Sequence, residues 1–272
     1  MAKTYIGTSG FSYEDWRGVF YPEDISKSDM LSFYAKFFPA VEINSSFYAI
    51  PSPLTFEKMC KKTHDDFQFA VKVNKDLTHS EQVEPVLFEK FSRAIEPIAS
   101  ADKLGCLLAQ YPWSFRRSQT NVDRLRQLRE ELDRFPLVVE FRNASWAVPE
   151  TFDFLKQIGV GYCCVDEPRM RGLMPKISVA TSAIGYVRFH GRNAETWWHH
   201  QEAWQRYDYL YTADELKEWI PRVQVLLSST AKTFIFFNNH YLGKAAKNAL
   251  LFGNMLGCIP IEGGLQDKEK SA

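Results

Sequence analysis

Short apolar segments of five or six residues recur eight times along this chain, and helical patterns fill most of the gaps between them. The segments are Thr4–Thr8, Val41–Ser45, Gln68–Val73, Gly105–Gln110, Leu137–Phe141, Gly161–Val165, Tyr186–His190 and Thr233–Asn238. Most are rich in β-branched or aromatic residues, the composition of a strand buried on both faces. The helical patterns run over Asp29–Phe38, Pro53–Thr63, Pro85–Ala99, Asn121–Leu132, Pro149–Ile158, Thr212–Leu227 and Leu242–Leu256. Ser52 reads as an N-cap with Pro53 at the first helical position. Thr212 and Glu215 form a capping-box pattern. Only the stretch after the sixth strand, Asp166–Ile184, carries no helical pattern.

Eightfold strand–helix alternation predicts an α/β fold, a single (β/α)8 TIM-type barrel with a parallel eight-stranded core and an irregular loop after strand six. An open doubly wound sheet is the competitor, but no glycine-rich phosphate-binding turn is present. The 272 residues suit one barrel, expected over 1–265, with 266–272 as a flexible polar tail. The 33 basic and 33 acidic residues cancel, which argues against a generally basic nucleic-acid coat. No apolar run is long enough to cross a membrane, and none resembles a signal peptide. Five cysteines, none in a CxxC pair, fit reduced thiols and a cytoplasmic location.

In a barrel, alternate residues of each strand face the interior, and sites form at the C-terminal strand ends. Polar residues recur there in phase: Glu42 and Asn44, Lys72 and Asn74, Gln110, Glu140 and Arg142, Asp166, Arg188 and His190, then Asn238 and His240. The residues between them, such as Val41, Val71, Val139 and Phe189, are apolar. A buried charge costs several kcal/mol unless paired, so this repetition has two explanations: a polar plug of ion pairs closing the barrel, or a ligand site. We favour the site. Lys72, Arg142, Arg188 and Arg192 suit a small anionic ligand, because guanidinium forks match carboxylate and phosphate geometry. Glu42, His190 and Glu140 are the candidate acid–base groups. Asn44, Asn238 and Asn239 are candidates for orienting the ligand.

Several segments carry a family resemblance. Gly7–Pro22 (GTSGFSYEDWRGVFYP), Val41–Ser52 (VEINSSFYAIPS), Phe69–His79 (FAVKVNKDLTH), Val139–Trp146 (VEFRNASW), Val187–Asn193 (VRFHGRN), Arg206–Leu216 (RYDYLYTADEL) and Phe237–Ala249 (FNNHYLGKAAKNA) resemble, in order, motifs of the YecE-like family, a domain of unknown function. The resemblance spans nearly the whole chain; Ala194–Gln205 is its least typical stretch. It implies a TIM-type barrel and no established reaction. The residues it carries over are Glu42, Asn44, Lys72, His79, Glu140, Arg142, Arg188, His190, Gly191, Arg192, Asn238 and Asn239. Such motifs preserve folding as readily as chemistry.

Two aromatic clusters follow strands one and seven: Phe11, Tyr13, Trp16, Phe20 and Tyr21, then Trp197, Trp198, Trp204, Tyr207, Tyr209 and Tyr211. They either pack beneath long loops or offer a stacking surface to a base or sugar ring. The leading expectation is a metal-independent enzyme, a hydrolase, lyase or isomerase without a redox cofactor, acting on a small anionic substrate. Two alternatives stay open. One is a divalent metal held by Glu42, Glu140, Asp166 and His190, serving a phosphodiesterase or isomerase. The other is a non-catalytic binder of a nucleotide or single-stranded nucleic acid. The sequence sets no oligomeric state.

Overall fold

The computed structural model describes residues 2–259, so the expected domain end at 265 and the tail 266–272 lie outside the described residues. Eight parallel strands form one sheet in the order β1-β8-β7-β6-β5-β4-β3-β2. They are β1 (Lys3–Thr8), β2 (Ala40–Ile43), β3 (Gln68–Lys72), β4 (Leu104–Gln110), β5 (Leu137–Glu140), β6 (Gly161–Asp166), β7 (Ile184–Phe189) and β8 (Lys232–Phe237). All eight expected strands are present, and β1 and β2 meet to close the sheet into a nearly complete TIM-like barrel. The helices between them are α1 (Met30–Tyr34), α2 (Ser45–Tyr48), α3 (Pro53–Cys60), α4 (Lys75–His79), α5 (Pro85–Ser100), α6 (Gln119–Glu131), α7 (Pro149–Gln157), α8 (Ala213–Lys217), α9 (Ile220–Ser229) and α10 (Lys244–Met255).

The segment between β6 and β7 contains no helix, as its sequence implied. Elsewhere the structure corrects the reading in detail. The second strand ends at Ile43, and Ser45 opens α2 instead of ending the strand. The single helix expected over 212–227 is two, because Pro221 lacks a backbone N–H and starts α9 afresh after Trp219. The Thr212–Glu215 capping box forms. Ser52 makes no side-chain cap; its hydroxyl meets that of Thr55 at 3.1 Å. Leu242, expected inside the last helix, has φ 51°, so α10 starts only at Lys244. No helix among the described residues is long and apolar enough to cross a membrane.

Inside the barrel the side chains are layered. The lower layer is aromatic: Tyr5 stacks on Phe234 at 5.0 Å, and Tyr186 packs against Phe236 at 5.5 Å. Gly105 makes room for this layer, since a Cβ there would lie 2.4 Å from the Phe234 ring. The middle layer is ionic. Above it, at the C-terminal strand ends, lies a cavity.

The β1–β2 seam is closed by a side chain as well as by backbone. The Tyr34 hydroxyl of α1 accepts from Thr8 N–H at 2.8 Å and donates to the Ala40 carbonyl at 3.1 Å. Two residues further along, Gly10 N–H donates directly to the Glu42 carbonyl at 2.8 Å. The phenol thus takes the place of a ladder bond between the strands. Gly7 permits the close approach, since a Cβ there would fall 2.0 Å from the Ala40 oxygen. Replacing Tyr34 with Phe strands a buried donor and a buried acceptor. We expect Tyr34→Phe to lose about 2–3 kcal/mol of stability in urea unfolding, with the far-UV dichroism unchanged. A loss within about 0.5 kcal/mol, the level of a neutral surface change, would deny the hydroxyl its role in the seam.

Candidate active site at the C-terminal barrel face

Strand phase brings the charged residues inward. Arg188 on β7 spans the interior: Nη2 lies 2.6 Å from Glu42 Oε1, and Nη1 lies 2.5 Å from Glu140 Oε2. All three side chains are fully enclosed. The second Glu42 oxygen accepts from the Tyr186 hydroxyl at 2.6 Å. The second Glu140 oxygen faces Arg142 Nε at 2.6 Å and His190 Nε2 at 3.2 Å. Arg142 also reaches Glu167 through Nη1 at 3.2 Å. Both readings of the in-phase charges therefore have a counterpart: a plug of ion pairs fills the middle of the barrel, and a cavity opens above it.

Each group's protonation follows from these contacts. Burial pushes the Glu140 carboxyl up, but Arg142, Arg188 and His190 outweigh it and hold the group well below the usual range. His190 is enclosed and neutral; burial, aided by Arg142 and Arg188, lowers it to about 3 despite Glu140. The Asn238 amide donates to His190 Nδ1 at 3.1 Å, which places the ring proton on Nε2, facing Glu140. Glu167 is buried and pushed up to about 7, although Arg142 and the Met174 N–H oppose the shift.

The cavity measures about 400 Å³ and is lined by Lys72, Asn44, Gln110, Arg142, Arg188 and Asn238, with Tyr13, Tyr48, Trp204, Tyr207 and His240 around its walls and Glu202 at the rim. Two short helices shape its floor. The Ser46 hydroxyl donates to the Lys72 carbonyl at 2.6 Å, and the Asn74 amide donates to the Ser46 carbonyl at 3.0 Å. Asn74 also caps α4 by accepting from Asp76 N–H at 3.1 Å. These bonds tie the ends of β2 and β3 together and set the Phe47 ring 4.0 Å from Lys72 Nζ. The Lys72 ammonium donates to Gln110 Oε1 at 2.8 Å. Among the described residues no carboxylate lies within ion-pair distance of it. Burial, reinforced by Arg188 and Arg142 against Glu140 and Glu42, lowers Lys72 to about 7.

The structure brings together most of the candidates from the sequence. Asn44, Lys72, Arg142, Arg188 and Asn238 line the cavity. Glu42, Glu140 and His190 lie beneath it, engaged with other side chains. Arg192 is elsewhere: it covers Asp166 at 2.8 Å and reaches Glu215 and Glu218. Asp166 points to the helix side of β6 and also accepts from Trp219 at 2.7 Å and Tyr211 at 2.7 Å. Asn239 is enclosed, donating to the Tyr209 carbonyl and to Asn248. The carboxylate set proposed for a metal is therefore split, and Glu42 and Glu140 already face guanidinium groups. Among the described residues no group of three or more His, Cys, Asp or Glu is arranged to hold a metal ion.

Tyr186 and Glu167 did not stand out in the sequence, yet strand phase points to both. Tyr186 is two residues before Arg188. Glu167 continues the phase of Cys163 and Val165, whereas Asp166 is one residue out of it. The aromatic clusters divide: Trp16, Phe20, Tyr21, Trp197 and Tyr211 are buried, while Tyr13, Trp204 and Tyr207 reach the cavity. Tyr13 stacks on His240 at 4.6 Å, and Trp204 stacks on Tyr241 at 3.9 Å. A recess of about 630 Å³ at the opposite barrel end is larger, but its lining includes Leu104, Gly105, Pro136 and Ile184. Its Glu96 and Arg134 pair with each other at 3.2 Å.

The sequence profile described as "Protein of unknown function DUF72" matches residues 5–267. The chain belongs to this family, the one named above as YecE-like. It is 33% identical to the UPF0759 protein YunF of Bacillus subtilis (strain 168) over 274 residues, covering 95% of each chain. Among solved structures it resembles a DUF72 family protein of Thermotoga maritima MSB8, with TM-score 0.87 and 42% identity, covering 94% of this chain and 99% of that one. It also resembles a DUF72 family protein of Enterococcus faecalis V583, with TM-score 0.85 and 26% identity, covering 98% and 100%.

Two outcomes follow from these electrostatics. Arg188→Met leaves two enclosed carboxylates short of their shared partner, and we expect a loss of about 3–5 kcal/mol at pH 7. The difference from the wild type should shrink as pH falls through the ordinary carboxylate range, because the variant's Glu140 takes up a proton that the wild type's refuses; equal losses at pH 7 and pH 4 would contradict this. Lys72→Met should raise the melting temperature near neutral pH by several degrees. A lysine lowered to about 7 burdens the fold fully below pH 7, where both folded and unfolded states are protonated. The burden fades between pH 7 and the unfolded value near 10.4, so the gain in the variant should fade over the same range.

Proposed function

We propose that this barrel binds and acts on a small anionic substrate in the cavity at its C-terminal face, with Lys72 as the group that exchanges protons. The single observation that carries this reading is the Lys72 amine: it opens on the cavity, has no carboxylate partner among the described residues and titrates near neutrality. A general acid or base works best with its pKa near the operating pH. Glu42 and His190 supply the setting: their polar atoms are engaged, and they hold Arg188 and Glu140 in place. Arg142 supplies the anchor. Its Nε and Nη1 face Glu140 and Glu167, which leaves Nη2 for a carboxylate or phosphate oxygen. Tyr207 and Trp204 give the substrate's apolar part a wall.

The neutral charge balance of the chain fits a small ligand better than a long polyanion. The pairing of Glu42 and Glu140 with guanidinium groups favours this reading over one that uses them as metal ligands.

Sulfate tests the reading because its charge is constant across neutral pH. In calorimetric titration we expect sulfate affinity to fall about tenfold between pH 6 and pH 8, as the ammonium loses its proton. Lys72→Met should bind about tenfold more weakly at pH 6 and show no such dependence. Sulfate affinity that is unchanged in this variant would remove Lys72 from the site.

A further inference from the structure

Lys103, which is buried, and Lys72, which is partly buried at the cavity, differ in a way that bears on chemistry. Lys103 sits between α3 and β4 and donates to the Cys60 carbonyl at 3.0 Å, the Thr63 carbonyl at 2.9 Å and the Thr63 hydroxyl at 3.2 Å. It has three hydrogen-bond acceptors around Nζ. Lys72 has one hydrogen-bond acceptor, Gln110 Oε1, and beneath it the negative face of the Phe47 ring. A neutral amine has two N–H groups and one lone pair. At Lys72 the amide oxygen and the ring face take the two N–H groups, and among the described residues Nζ has no other hydrogen-bond contact. The lone pair is therefore left to the cavity.

We propose that Lys72 is a nucleophile that condenses with the carbonyl group of a small oxo acid, an aldehyde or ketone carrying a carboxylate or phosphate, to form an imine. This rests on the reading of the cavity as an anion site and names its substrate class. The Nζ lone pair attacks the carbonyl carbon, and the carbonyl π pair moves to oxygen, which takes a proton from the amine. The resulting carbinolamine loses that oxygen as water with the second amine proton. One C–N double bond replaces the C–O double bond, one water leaves, and no oxidant or other reagent is consumed. Desolvation and neighbouring cations are the general means of keeping such a lysine neutral, and Arg188 and Arg142 are those cations here.

The remaining polar groups fit this step. Arg142 Nη2 takes the anionic group. Asn44 lines the cavity, and its Oδ1 is buried without a donor. An unpaired acceptor of this kind costs free energy that a ligand donor recovers; the carbinolamine hydroxyl is such a donor.

The test is reductive trapping. The full-length protein is incubated with pyruvate or with dihydroxyacetone phosphate, reduced with borohydride, and measured by intact mass and peptide mapping. We expect one stable adduct per chain, located at Lys72, with a yield that rises about tenfold from pH 6 to pH 8, opposite to the trend for sulfate. Pyruvate labelling more than dihydroxyacetone phosphate would assign a carboxylate, and the reverse a phosphate. Lys72→Arg should keep sulfate binding at pH 6 and lose the adduct. The absence of an adduct at Lys72 with both probes, or labelling of other lysines that persists in Lys72→Arg, overturns the inference. If sulfate still binds in that case, the imine fails alone; if sulfate also fails to bind, the anion reading fails with it.

Discussion

Arg188 held between Glu42 and Glu140 is the interaction on which the rest of this structure depends. A guanidinium and two carboxylates fully enclosed in a barrel cost several kcal/mol each to desolvate. They are tolerated because nearly every polar atom has a partner: Tyr186 takes the outer oxygen of Glu42, and Arg142 and His190 share the outer oxygen of Glu140. Arg188 Nε and Arg142 Nε are the exceptions within the network, buried without a hydrogen-bond partner, although Arg142 Nε lies at ion-pair distance from Glu140. The network links β2, β5 and β7 across the interior. It fixes the positions of strand ends that no direct ladder connects, and so it sets the shape of the cavity above.

The same network explains why Lys72 differs from its neighbours. The carboxylates that would have paired with it are committed to Arg188 and Arg142. What acts on Lys72 is burial first, then Arg188 and Arg142 set against Glu140 and Glu42, with the face of the Phe47 ring beside it. An amine in that position weakens the fold at neutral pH. Sites that keep an unpaired, desolvated group at the expense of stability are a common pattern in functional clefts.

Closure of the barrel is a separate matter. Seven strand pairs have backbone ladders, that of β3 and β4 with a register shift at Phe69–Ala70, while β1 and β2 are joined through the Tyr34 hydroxyl and the Gly10–Glu42 backbone bond. The helix that supplies Tyr34 is only five residues long. Phe11, Phe20 and Phe38 pack around the Tyr34 ring, so two members of the first aromatic cluster, Phe11 and Phe20, serve the seam. Tyr13 is the member that turns to the cavity.

The sequence by itself determined the eight strands, most of the helices and the inward phase of Glu42, Lys72, Glu140, Arg142, Arg188 and Asn238. Period-two alternation is a local property, and every second residue of a barrel strand must face in. The family resemblance was also legible, because its motifs are contiguous. Only the tertiary structure decided which charges pair. Glu42 and Arg188 are 146 residues apart, and no local rule says that they consume each other and leave Lys72 free. Asp166 and Arg192 looked like mouth residues because they follow strands, but a one-residue difference in phase turns Asp166 to the helices, where Tyr211 and Trp219 meet it. Partner choice among buried charges depends on distances across the barrel, and those distances exist only once the chain has closed.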